Sequence, residues 1–157
     1  MPVASNNAFI EVDSFQTAKE GQMVCGDIFL CRKIQEEDRV VAVLSDGLGS
    51  GIKASVLANL TATMALKYTS SFMDIKRSAE TIMSTLPICS VRKISYSTFT
   101  IVDLDGSGLT RTVEYDNPPF LLLRDGREEP VERTEIALKA IVDSFSPETM
   151  DEDAGRE

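Results

Sequence analysis

A chain of 157 residues that is 43% apolar is long enough for one domain with a sizeable core, and too apolar to be disordered over most of its length. Its 25 acidic residues outnumber 16 basic ones for a net charge of -9, which disfavours nucleic acid as a partner and suits a cationic or metal-requiring one. Histidine is absent, which excludes Ser-His-Asp and Cys-His catalysis and histidine-ligated metal sites, so any chemistry falls to carboxylates, backbone groups, water and oxygen-ligated cations.

Residues 1–8 read as a disordered start. Phe9 to Thr17 alternates, with Phe9, Glu11, Asp13 and Phe15 on one side and Ile10, Val12 and Ser14 on the other, and predicts a first strand. After a turn at Glu20-Gly21, the stretch from Gly26 to Ile34 predicts a second strand. The acidic segment Glu36-Glu37-Asp38 joins it to a third, Arg39 to Ser45. Within that third strand Val40 to Leu44 has no polar face, as expected of a strand buried on both sides.

The third strand runs into Ser45-Asp46-Gly47-Leu48-Gly49-Ser50-Gly51. Glycines at this density mark a backbone that needs positive φ or close approach. A helix follows from about Ser50 to Tyr68, with Ile52, Val56, Leu60 and Met64 spaced at i+4 and Leu57 beside them, which predicts a core-facing stripe. A second helix spans Met73 to Leu86, with Ile75, Ala79, Ile82, Met83 and Leu86 on one face, and Pro87 ends it. The methionines Met64, Met73 and Met83 read as core filling.

Tyr96 to Leu104 and Leu109 to Tyr115 form a strand pair around Asp105-Gly106-Ser107-Gly108. Asp116-Asn117-Pro118-Pro119 breaks the chain. Phe120 to Leu123 and Glu129 to Arg133 then flank a further Asp-Gly turn at Arg124-Asp125-Gly126-Arg127. The domain is expected over 9–133. Residues 134–157 are expected to hold a short helix, Glu135 to Phe145, and an acidic disordered tail. Strands, two helices and strands again predict an α+β domain of antiparallel sheet with helices packed on it.

Three cysteines, Cys25, Cys31 and Cys89, include no close pair and fall short of a zinc site or disulfide framework. With no leader-like segment and no apolar run near ~20 residues, the chain is expected to be cytoplasmic, reduced and without a membrane partner.

The glycine turn matches neither phosphate-binding pattern. A Walker loop ends in Gly-Lys-Ser/Thr, where here Gly51 is followed by Ile52-Lys53-Ala54; the dinucleotide fingerprint spaces its third glycine differently. The plain reading is a helix start capped by Ser50. The chemical reading rests on Asp27 and Asp46, each beside a glycine and on strands joined by a short hairpin, hence within ~6 Å of each other. Two carboxylates so placed repel, and a hard divalent cation, Mg2+ or Mn2+, resolves the repulsion. The Gly47 carbonyl can add a ligand because no side chain blocks approach.

Val24-Cys25-Gly26-Asp27, followed by Leu44-Ser45-Asp46-Gly47-Leu48-Gly49-Ser50-Gly51-Ile52-Lys53-Ala54 and later by Asn117-Pro118-Pro119, resembles the PPM family of metal-dependent serine/threonine phosphatases, in its bacterial SpoIIE-like branch. The resemblance runs over roughly residues 9 to 133. It implies an αββα sandwich of two antiparallel sheets flanked by helices, here shortened at the C-terminal side. It also implies two Mn2+ or Mg2+ ions, with Asp46 as bridging ligand, the Gly47 carbonyl as a second ligand and Asp27 as a ligand to one ion. A metal-activated water would then hydrolyse a phosphoserine or phosphothreonine protein, such as a regulator of a sigma factor, in bacterial signalling. The family's late aspartates have no counterpart at Asp143, Asp151 or Asp153, none of which stands in the family's pattern. The alternative is therefore a catalytically impaired pseudophosphatase or regulatory binding module that keeps the fold.

Overall fold

In the computed structural model the residues described are 9–18, 20–21, 24–49, 51–71, 74–86 and 97–135. Strands β1 (Asp27–Ile34) and β2 (Arg39–Gly47) precede helices α1 (Gly51–Ser70) and α2 (Ile75–Thr85). Strands β3 (Ser97–Asp105) and β4 (Thr110–Tyr115) follow, and then a short hairpin of β5 (Leu122–Arg124) and β6 (Arg127–Glu129). The first four strands form one antiparallel sheet in the order β1-β2-β3-β4, and β5-β6 form a second, two-stranded sheet. This is the expected α+β class, with helices laid on antiparallel sheet.

Alternation decides which face of the large sheet meets the helices. Val41 and Val43 of β2 and Phe99 and Ile101 of β3 are wholly buried. They pack against Ala62 and Ala65 of α1, against Ala79 and Ile82 of α2, and against Leu86. Ile28, Leu30 and Ile34 of β1 join the same side. Phe99 stacks on Tyr115 with ring centroids 5.5 Å apart. Helix α2 starts at Asp74, whose carboxylate accepts the Arg77 N–H at 3.2 Å, satisfying one donor of the first turn.

The far end of the sheet is clamped by a charge. Arg39 donates to Asp103 at 2.6 and 3.1 Å, to Glu37 at 3.0 Å and to the Thr69 carbonyl at the end of α1 at 2.6 Å. Asp103 is almost fully buried, and without this guanidinium its charge would be left with the half-exposed Arg111 at 4.0 Å.

Four sequence expectations are corrected. The stretch Phe9 to Thr17 forms no strand, and Phe9 and Phe15 lie about nine-tenths exposed, at 90% and 92%. The stripe Ile52, Val56 and Leu60 faces solvent; α1 turns Ala54, Ala58, Thr61, Ala62 and Ala65 inward instead, because small side chains let it lie close on the sheet. Leu44 is 46% exposed, since it points to the sheet face away from the helices, so only Val40 to Val43 of that run are buried. The last hairpin pairs closer to its turn than expected. Asp125 and Gly126 both take positive φ in a two-residue loop, which forces Arg124 and Arg127 into register and leaves Phe120 and Arg133 outside the ladder. The helix start at Ser50, the methionine Met73, the start at 1–8, the helix expected from Glu135 to Phe145 and the acidic tail lie wholly or almost wholly outside the described residues.

Candidate functional site

At the end of β2 the glycine-rich turn is built for close approach. A Cβ on Gly47 would stand 2.0 Å from the Ala54 carbonyl oxygen and 2.8 Å from its Cα, so any side chain there would collide with the first turns of α1. Gly49 and Gly51 adopt φ of 100° and 77°, a region that other residues enter only with strain. The three glycines thus have separate reasons: contact for Gly47, conformation for Gly49 and Gly51. The Gly47 N–H donates to the Gly26 carbonyl at 3.2 Å, which pins the turn to the start of β1.

That pinning brings the two acids together. Asp27 is the direct cross-strand partner of Asp46. Residues so opposed have Cα atoms about 4.5–5.5 Å apart and side chains on the same face. This face is the one turned away from the helices, and both residues are open to solvent. The Asp46 carboxyl is nevertheless pushed up to about 6 from an ordinary 3.8. Desolvation at the crowded strand end is the largest cause, followed by a hydrogen bond shared with Asp27 and the repulsion of its charge. Asp46 therefore keeps its proton into mildly acid pH.

The main chain around Asp46 is fixed from both sides of the sheet. Its carbonyl accepts from Ser97 Oγ at 3.1 Å on the helix side and from Thr98 Oγ1 at 3.4 Å on the open side. Ser97 and Ser45 hydroxyls lie 2.7 Å apart, both fully buried, and Ser45 also donates to the Thr98 carbonyl at 2.8 Å. The Gln16 side-chain amide donates to the Asp27 carbonyl. Sequence reasoning gave Ser45, Ser97, Thr98 and Asn117 no role at the site, although Ser45 and Asn117 stand within the motifs that carry the resemblance. The available signal was the cluster of hydroxyls at Ser97, Thr98 and Thr100, with Thr98 directly opposite Asp46, together with the Asn-Pro-Pro turn.

The donor set fits a hard divalent cation in kind. It consists of two carboxyl groups facing each other across adjacent strands, beside a glycine whose main chain no side chain screens. In number it is sparse, because among the described residues no three His, Cys, Asp or Glu side chains converge. Asp143, Asp151 and Asp153 lie outside the described residues. Among the described residues no helix is long and apolar enough to cross a membrane.

Comparison with known proteins gives structural kin. No family model matches the sequence, and no curated protein matches it. The PP2C phosphatase domain of the cell-fate determinant SpoIIE from Bacillus subtilis, solved with a fragment of its regulatory domain, superposes over 82% of this chain and 37% of its own, with 26% identity and a TM-score of 0.65. The RsbU and RsbW domains of Rv1364c from Mycobacterium tuberculosis match over 73% of this chain and 32% of their own, with 22% identity and a TM-score of 0.57, a likeness of fold. This chain thus spans about a third of the length of either structure.

Proposed function

We propose that this chain, whose structural kinship is with the SpoIIE-like PPM-type phosphatase family, is a metal-dependent phosphatase domain acting on phosphoserine or phosphothreonine in proteins. The observation that carries the reading is the register that sets Asp27 against Asp46 at an open strand end, in this fold. Asp27 and Asp46 would hold Mg2+ or Mn2+, with the Gly47 carbonyl as a further donor. A bound ion of this kind supplies Lewis acidity and a water acidic enough to attack phosphorus near neutral pH. The chain's own part is positional. Gly47 lets α1 close on β2, Gly26 ties the turn to β1, and Ser97 and Thr98 hold the Asp46 peptide from both faces. Both carboxylates thereby meet the solvent where a substrate phosphate can enter. We take 9–133 as the domain, a bacterial cytoplasmic setting as its place, and a phosphorylated regulator, such as one controlling a sigma factor, as its substrate.

A second reading is favoured by one observation: the described residues bring two acids together and no third. On that reading the chain keeps the fold and binds a partner without turnover, as a pseudophosphatase or regulatory module. Calorimetric titration of Mn2+ into the wild type and Asp46→Asn, with hydrolysis of an aryl phosphate and a phosphopeptide on the same samples, separates the two. Two carboxylates and several waters predict Kd near millimolar, or roughly -4 kcal/mol, lost in Asp46→Asn, with turnover near background if no further ligand joins. Strong Mn2+-dependent turnover would remove the second reading, and equal affinity in the two proteins would remove Asp46 from the site.

A further inference from the structure

We infer that Asn117 is a positioning residue for the acid pair, acting through the Thr98 hydroxyl on the main chain of Asp46. The inference rests on the reading of Asp46 as a metal-binding carboxylate. Thr98 is the cross-strand partner of Asp46 on β3, just as Asp27 is on β1, so one row across the sheet reads Asp27, Asp46, Thr98. Thr98 and Thr100 share the open face with the acids. Both are joined to a single side chain: the Thr98 hydroxyl to Asn117 Oδ1, and the Asn117 amide nitrogen to Thr100 Oγ1 at 2.9 Å. Thr98 Oγ1 also lies 3.4 Å from the Asp46 carbonyl oxygen. The hydroxyl's one proton lies between two acceptors, Asn117 Oδ1 and the Asp46 carbonyl oxygen, so Asn117 acts by fixing where that hydroxyl stands against the Asp46 main chain and not by strengthening its donation.

Asn117 is well suited to act as the fixed end of this chain of contacts. Asp116 before it takes φ of 53°, and two prolines follow it. A residue ahead of proline is confined to extended conformations, and the prolines fix the next two φ angles, so little freedom is lost in holding the amide where it is. A merely structural asparagine closing β4 onto β3 would have no need of the face that carries the acids. Here both of its amide contacts lie on that face, and one of them belongs to the residue that touches Asp46. A metal-binding carboxylate must be held within about 0.5 Å of its working place. Among the described residues, the side chains that hold the Asp46 carbonyl are Ser97 beneath the sheet and Thr98 above it.

The test is calorimetric titration of Mn2+ into the full chain as wild type, Asp46→Asn, Asn117→Ala, Thr98→Val, Thr98→Ser and the double variant Asn117→Ala/Thr98→Val, with urea midpoints for each. Asn117→Ala and Thr98→Val should each weaken Mn2+ binding about tenfold, as loss of an outer partner of a metal ligand does, with midpoints close to wild type. The double variant should bind no worse than either single one, and Thr98→Ser should keep wild-type affinity. Wild-type Mn2+ affinity in Asn117→Ala and Thr98→Val, with loss in Asp46→Asn, would overturn the inference and leave the metal reading standing. A fall in affinity that tracks a fall in midpoint and is present in Thr98→Ser would make the network structural only and overturn it too. Equal affinity in wild type and Asp46→Asn would instead remove the metal reading, and the inference with it.

Discussion

The acid pair predicts an inverted pH dependence of stability in the metal-free protein. The Asp46 carboxyl stands at about 6 in the folded chain against 3.8 ordinarily. Between these values the folded protein keeps a proton that the unfolded chain has released, so stability falls as pH rises through this window. The contribution is fully present below about 4 and gone above about 6. Undiscounted, the interval would be worth about 3 kcal/mol; the pair is open to solvent, and screening leaves about 1 kcal/mol. The assay is the urea midpoint of metal-free protein from pH 4 to pH 7, read at constant m-value. Asp46→Asn removes the titration, so its profile over this window should be flatter, and at pH 7 it should be about 1 kcal/mol more stable than wild type. Saturating Mn2+ should stabilise the wild type at pH 7 and leave Asp46→Asn unmoved. Parallel profiles for the two proteins across pH 4–7 would refute the raised Asp46 carboxyl that desolvation and the neighbouring Asp27 together produce.

Other outcomes follow from packing. Gly47→Ala forces a Cβ into the Ala54 carbonyl and should lower stability by about 1–3 kcal/mol in urea unfolding, as overpacking does. Ala58→Leu on the inner face of α1 should fall in the same range, whereas Leu60→Glu, 47% exposed, should stay within about 0.5 kcal/mol. Arg39→Met leaves the buried Asp103 carboxylate without its main partner and should lower stability by about 3 kcal/mol; Arg39→Met with Asp103→Leu should recover much of that loss.

Much of the site was legible because its signals were local. The Asp-Gly turn, the glycine spacing and the short hairpin between two strands were enough to set Asp27 near Asp46, and the register bears that proximity out. The two helices and strands β1 to β4 lie within a few residues of where periodicity put them. What failed was whatever depended on partners elsewhere in the chain. Phe9 to Thr17 alternates, yet its apolar residues fall on both sides, and alternation alone does not create a neighbouring strand to pair with. The last hairpin slid because a two-residue Asp-Gly loop dictates pairing from the turn outward, whatever the apolar content of Phe120 to Leu123. The Ser45, Ser97, Thr98 and Asn117 contacts join residues up to 53 positions apart, and no spacing rule reaches that far.

Helix α1 shows the competition most directly. Two stripes at helical spacing compete to face the core: Ile52, Val56 and Leu60, or Ala54, Ala58, Ala62 and Ala65. Transfer free energy favours burying the larger set. Geometry favours the smaller one, because the Gly47 turn feeds straight into the helix and holds the Ala54 carbonyl against the end of β2. At that separation the fully buried positions along the first turns of α1 are alanine and threonine, and the branched residues Ile52, Val56 and Leu60 are left outside with 74%, 59% and 47% of their surface exposed. The close approach that overrides hydrophobic size is the same one that fixes the turn carrying Asp46. The fold thus leaves apolar side chains in water to hold α1 against the strand end, where the acid pair stands.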